Sequence, residues 1–153
     1  MEIFKENTAK HWKPLNSPPL RKMPYSRKIS YIVAILFSAL LGTYLDLYFV
    51  GKGYYEFPNR LFPDIFSIQI IFPLIILPIL VGFILFILEK MKRVMRYSFL
   101  LFLSGIISVV ERISEILGLF QHGQEWKHSN SFLGYFLFFV IVWKLYQWIN
   151  ARL

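Results

Sequence analysis

The sequence predicts an all-α membrane protein, an up-and-down bundle of four transmembrane helices behind a basic, disordered N-terminal tail. Three observations carry that expectation. Of 153 residues, 56% are hydrophobic and 19% aromatic, and only 17% are charged, against about 25% in a soluble domain. The apolar residues stand in four long blocks instead of alternating with polar ones, and a soluble chain this short has too little interior to hide them. Each block is about 20 residues, which at ~1.5 Å per residue crosses a hydrocarbon layer of ~30 Å. Within lipid every backbone N–H and C=O must be paired inside its own segment, so the blocks are read as helices.

The elements follow in order. Residues 1–28 are polar and basic, with Lys5, Lys10, Lys13, Arg21, Lys22, Arg27 and Lys28 set among Pro14, Pro18, Pro19 and Pro24. They are expected to form a cytoplasmic tail that rests on anionic lipid through its cations and Trp12. The basic region and the apolar run after it are both too long for a secretory signal. Residues 29–153 form the membrane domain, with helices expected at 29–50, 65–88, 97–117 and 131–149. The connections are short, which favours antiparallel neighbours. The first, 51–64 (GKGYYEFPNRLFPD), carries two Gly, two Pro and four aromatic residues and is expected to hug an interface. The second, 89–96, is a tight turn holding Lys90, Lys92, Arg93 and Arg96. The third, 120–130 (FQHGQEWKHSN), is polar.

Charge orients the bundle. The basic tail and the basic turn share one side of a four-span protein, so the positive-inside rule places both termini in the cytoplasm. The same placement accounts for the net charge of +8 without a nucleic-acid partner. Trp143, Tyr146 and Trp148 are expected to form an aromatic belt at the inner face, with Lys144 and Arg152 snorkelling beside them. Pro73 and Pro78 are expected to kink the second helix, most simply as a packing feature and otherwise as a hinge or an opened carbonyl beside a cavity.

Most chemistries find no support. The chain has no cysteine, which removes disulfides, thiolate metal sites and cysteine nucleophiles. It contains no phosphate-binding glycine loop, no dinucleotide fingerprint and no nucleophile elbow. Its three histidines, His11, His122 and His128, lie outside the expected helices, so no haem is anticipated, and no cofactor of any kind. His122, Glu125 and His128 raise a metal site, but their spacing fits no zinc pattern, and a solvated loop is the stronger reading.

The informative residues are ionisable groups inside the apolar blocks, which are costly there and face protein or water. They are Asp46, Glu111, Arg112 and Glu115. On the third helix Ser104, Ser108, Glu111 and Glu115 recur at spacings of four, three and four, an arc of roughly 60°. Arg112 lies beside that stripe. Asp46 is about 6 Å from the outer end of the first helix, and Gln69 is near the outer end of the second. These groups are therefore expected to share one layer near the outer face. Ala39 and Gly42 let the first helix bring Asp46 against the third. Three acids against one base leave an excess of negative charge. A retained proton, a bound cation, or help from Lys52, His122 or His128 could balance it. The cluster is either a structural polar core or a site for a proton, an ion or a substrate.

The stretch GTYLDLYFVGKGYYEFPNR (42–60) resembles the signature of a family of small, uncharacterised four-helix integral membrane proteins of spore-forming Gram-positive bacteria. PDIFSI (63–68), a Glu in the third helix, and EWKHSNSFLGYF before an aromatic last helix extend the resemblance from about residue 30 to the end. It implies a four-helix fold and a cytoplasmic-membrane location, and puts Asp46, Arg60 and Glu111 in the site region. It implies no activity.

Three functions fit these observations. The first is a structural or accessory subunit that packs in the bilayer against a membrane protein partner or a second copy. The second is a small proton- or cation-coupled transporter using Asp46 and Glu111. The third is a membrane enzyme acting on lipid or wall precursors, with Arg60 or Arg112 on a phosphate. No motif favours an enzyme.

Overall fold

The computed structural model describes residues 24–123 and 128–153. The tail expected over 1–28 therefore falls largely outside the described residues, as do Glu125 and the side chain of His128. Four helices dominate: α1 (Pro24–Gly51), α2 (Leu77–Lys90), α3 (Arg93–Ile116) and α4 (His128–Arg152). Two short strands, β1 (Tyr55–Glu56) and β2 (Gln121–His122), pair antiparallel between the first and third connections.

Three segments are long and apolar enough to cross a membrane: Ser26–Gly51, Phe72–Lys90 and Ser129–Arg152. The third helix is not among them. Arg93, Arg96, Glu111, Arg112 and Glu115 lower its average hydropathy, although its exposed side carries mostly large apolar residues.

Helix boundaries depart from expectation for local reasons. α1 is already helical at Pro24, the first described residue and five before the expected start. Arg27 and Lys28 thus belong to the bundle. The second helix was expected from residue 65, but regular structure starts near Phe72. Pro73 sits in its first turn, and a π-helical turn, Phe72–Ile76, leads into α2. The N–H of Leu77 reaches back to the Phe72 carbonyl. The widened turn thus falls between Pro73 and Pro78, where the ladder already lacks two donors. Met91 and Lys92 alone separate α2 from α3.

The helices pack in the order α2, α1, α4, α3. A core of Ala34, Leu77, Val81, Ile84, Leu85, Leu88, Leu100, Phe138, Phe139, Val142, Trp143 and Tyr146 runs through all four. Gly42 is the close-approach point of α1. A Cβ there would lie 2.5 Å from Cδ2 of Leu77, so its smallness serves contact with α2, where contact with the third helix was expected. The expected aromatic belt is also revised. Trp143 and Tyr146 are stacked inside the core, and of the three only Trp148 is exposed. They lie on the face of α4 that meets its neighbours, and the interior takes them.

Candidate functional site

The third helix ends in a turn that builds the site. Gly118 adopts φ +69°. Its N–H bonds the Glu115 carbonyl at 3.0 Å, and the Leu119 N–H bonds the Ser114 carbonyl at 2.9 Å. This is the left-handed glycine stop that satisfies the last carbonyls of a helix. The chain reverses through it, and Phe120, Gln121 and His122 fold back over the helix end. Asn59 fastens the first connection to this turn by donating Nδ2–H to the Gly118 carbonyl, 3.1 Å away.

The strand pair then sets His122 opposite Tyr55 and Gln121 opposite Glu56. Gly123 extends the pairing with an N–H bond of 2.8 Å to the Tyr54 carbonyl. A Cβ at Gly123 would sit 2.5 Å from the Gly53 carbonyl oxygen, so only glycine allows this approach. Both residues of the Tyr55–His122 pair turn toward the helices.

Three carboxylates receive them. Tyr55 donates its hydroxyl to Oδ1 of Asp46 at 2.7 Å. Nε2 of His122 lies 2.9 Å from Oε1 of Glu111, and Nδ1 lies 3.2 Å from Oε1 of Glu115. Glu111 also accepts from the Ser131 hydroxyl at 2.5 Å and from the Tyr135 hydroxyl, both on α4. The His122 N–H bonds Oε1 of Glu115 at 3.3 Å. The two halves adjoin. Burial first, then the charge of Asp46, with smaller influences from Tyr135 and Glu111, raise the Tyr55 phenol well above its ordinary range. Tyr55 therefore stays a donor. One oxygen of Asp46, Oδ2, is buried with no hydrogen-bond partner among the described residues.

Of the sequence-based candidates, Asp46, Glu111, Glu115 and His122 come together. Ser108 does not join them, because its hydroxyl bonds back to the Ser104 carbonyl at 2.9 Å, as that of Ser104 does to Leu100. The serines instead face α4 and let it approach. Arg112 lies on the exposed side of α3 with no ion pair among the described residues. Arg60 organises the first connection, donating to the carbonyls of Phe57, Pro63 and Phe66. Gln69 clamps the same loop through Asn59 and Leu61. Lys52 lies over the Tyr48 ring, away from the carboxylates. Arg60, Tyr55, Glu56 and His122 line a cavity of about 390 Å³ at this end. Among the described residues no three His, Asp or Glu side chains are arranged to hold a metal ion.

Sequence reasoning missed α4 and the opposite end. The last helix was expected to carry an aromatic belt and was assigned no site residue. It lies instead between α1 and α3 and supplies Ser131 and Tyr135. At the other end it supplies Tyr146, whose hydroxyl donates to Oε1 of Glu89. Glu89 also accepts from Tyr31 at 2.7 Å and from the Arg27 guanidinium, whose Nε is 3.1 Å away. It was read as part of a tight basic turn, but it is a second carboxylate hub joining α1, α2 and α4. The available signal was an acid ending an apolar run. Comparison of the chain with protein-family models, curated proteins and solved structures finds no match.

Proposed function

We propose that this chain is a multi-pass protein of the cytoplasmic membrane that crosses four times, with both termini cytoplasmic. In this reading its role is structural or accessory to a membrane partner or a second copy, and the carboxylate hubs hold the helices in register. The observation that carries the reading is the sidedness of α3. Glu111 and Glu115 turn toward α4 and the strand pair, whereas Phe102, Val109, Ile113 and Ile116 are exposed. Its low average hydropathy thus reflects in part the two carboxylates turned inside, and the large apolar residues of its outer face suit lipid as well as Leu40 on α1 or Ile79 on α2 do. Arg112 is about one turn from the helix end, ~6 Å, within reach of the interface by snorkelling. The structural role follows from saturation. Glu111 and Glu89 each take donors from two other elements, as groups that fasten helices do. The resemblance of residues 42–60 to small four-helix membrane proteins agrees with this reading.

The absence of cysteine makes a direct test simple. Single cysteines at Lys52, Gln121 and Lys92 are labelled in intact cells with an impermeant maleimide. Four crossings place Lys52 and Gln121 outside and Lys92 inside, reactive only after permeabilisation. Labelling of Gln121→Cys and Lys92→Cys from the same side would remove α3 as a span.

One observation favours a second reading, a proton- or cation-coupled transporter. The unpartnered Oδ2 of Asp46 is where a proton or a cation would bind. Proteoliposomes holding the protein under a pH gradient decide between the two. Flux above that of empty liposomes, lost in Asp46→Asn, supports transport, and flux equal to empty liposomes supports the structural role.

A further inference from the structure

At the end of the bundle away from the strand pair, a cavity of about 460 Å³ opens between α1, the α2–α3 turn and α4. Arg27, Lys90 and Arg96 line it with the single carboxylate of Glu89, leaving two positive charges in excess. Arg27 is committed to Glu89. The other two cations rest against aromatic rings and have no carboxylate partner among the described residues. Nζ of Lys90 stands 3.8 Å from the Phe86 ring centroid. The Arg96 guanidinium stands 5.0 Å from the Trp143 ring centroid and donates Nε–H to the Leu88 carbonyl at 2.8 Å. Its two terminal nitrogens have no hydrogen-bond partner among the described residues. The amide of Gln147 adds a neutral donor and acceptor to the wall. α3 also begins here with no side-chain cap and no acid in its first turn, so its unpaired N–H groups add to the positive potential.

A planar N–H fork fixed on an indole, a second cation and a concave wall are the features that recognise phosphate oxygens. We infer that this cavity binds a phosphate group, carried by an anionic phospholipid headgroup or free in solution. The lipid source rests on the proposed membrane insertion. Under that reading the cavity lies on the basic, cytoplasmic side, at the depth of lipid phosphates. The free source does not need insertion.

The test uses the full chain purified in a neutral detergent. Thermal unfolding and native mass spectrometry are followed while phosphatidylglycerol, phosphatidylcholine or inorganic phosphate is added. Phosphatidylglycerol is expected to bind and raise the midpoint where phosphatidylcholine does not. Arg96→Gln and Lys90→Gln are each expected to weaken binding about tenfold, the scale of one lost charge-assisted contact. Lys92→Gln, in the same turn but exposed outside the cavity, should bind as the parent does. If Arg96→Gln fails to fold, Lys90→Gln decides alone, since the Lys90 side chain makes no hydrogen bond among the described residues. The same variant pattern with inorganic phosphate alone would support the site and assign it to free phosphate. Equal binding of the two lipids with no effect of phosphate overturns the inference, as does an equal loss in Lys92→Gln. Carbonate extraction of native membranes tests insertion separately, so that failure of one idea is not mistaken for failure of the other.

Discussion

Nε2 of His122 lies 2.9 Å from Oε1 of Glu111, and this contact ties a loop to the interior of a helix bundle. Both side chains are nearly closed to solvent, with 6% and 9% exposure. Nδ1 of the same ring faces Glu115. A loop residue thus stands against both carboxylates on the inner face of the third helix.

Tyr135 should contribute measurably to the same hub. Tyr135→Phe removes a hydroxyl donated to a carboxylate, and is expected to cost about 1–2 kcal/mol, between the values for neutral interhelical and charge-assisted bonds. Chemical unfolding in mild detergent reads this as a lower midpoint with an unchanged slope.

Gly123 should tolerate no side chain. Gly123→Ala drives a Cβ onto the Gly53 carbonyl, which is backbone and cannot rotate away. A cost of about 1–3 kcal/mol is expected, together with faster exchange of the residue-123 amide, which bonds the Tyr54 carbonyl. Protection equal to the parent's would show that the strand pair does not hold the loop.

Glu89 and Arg27 should differ although they are paired. Glu89→Ala leaves the hydroxyl of Tyr146, a residue 2% exposed, without its acceptor. It is expected to cost about 2–4 kcal/mol. Arg27 is more than half exposed, so Arg27→Gln should cost about 1 kcal/mol or less. Equal losses would mean that the ion pair, and not the buried hydroxyls, holds this end together.

Tyr55 sets an alkaline limit. Its phenol is raised above the ordinary value by burial and then by Asp46. A raised folded-state value means that the folded chain keeps a proton which the unfolded chain releases. The stabilisation is complete below the ordinary phenol value of about 10 and is lost as pH rises beyond it. Stability of the parent should therefore fall above pH ~10 more steeply than that of Tyr55→Phe. Identical curves would contradict the Tyr55–Asp46 bond.

Much of the architecture was legible because lipid-compatible helices need long apolar blocks, and four blocks gave four helices. Asp46, Glu111 and Glu115 stood out because charges inside such blocks are conspicuous. Their partners did not. Tyr55, Ser131 and Tyr135 are ordinary residues of an aromatic-rich chain, and only the order of packing, with α4 between α1 and α3, directs their hydroxyls to the acids. Arg112 was misassigned for a related reason. It is 100° around the helix from Glu111, and on a helix packed on one side that rotation separates inside from outside. Glu89 escaped notice because basic neighbours made its segment read as a tight basic turn. The second helix started late because Pro73 suits a first turn better than an interior.

The most direct test is a double-mutant cycle on Glu111 and His122, by unfolding of the parent, Glu111→Gln, His122→Gln and the double variant. If this buried contact fastens the bundle, each single variant loses stability, and the double variant loses less than their sum by about 1–3 kcal/mol. Losses that add to within about 0.5 kcal/mol would show that the two residues act independently and that the carboxylate hub does not hold the fold.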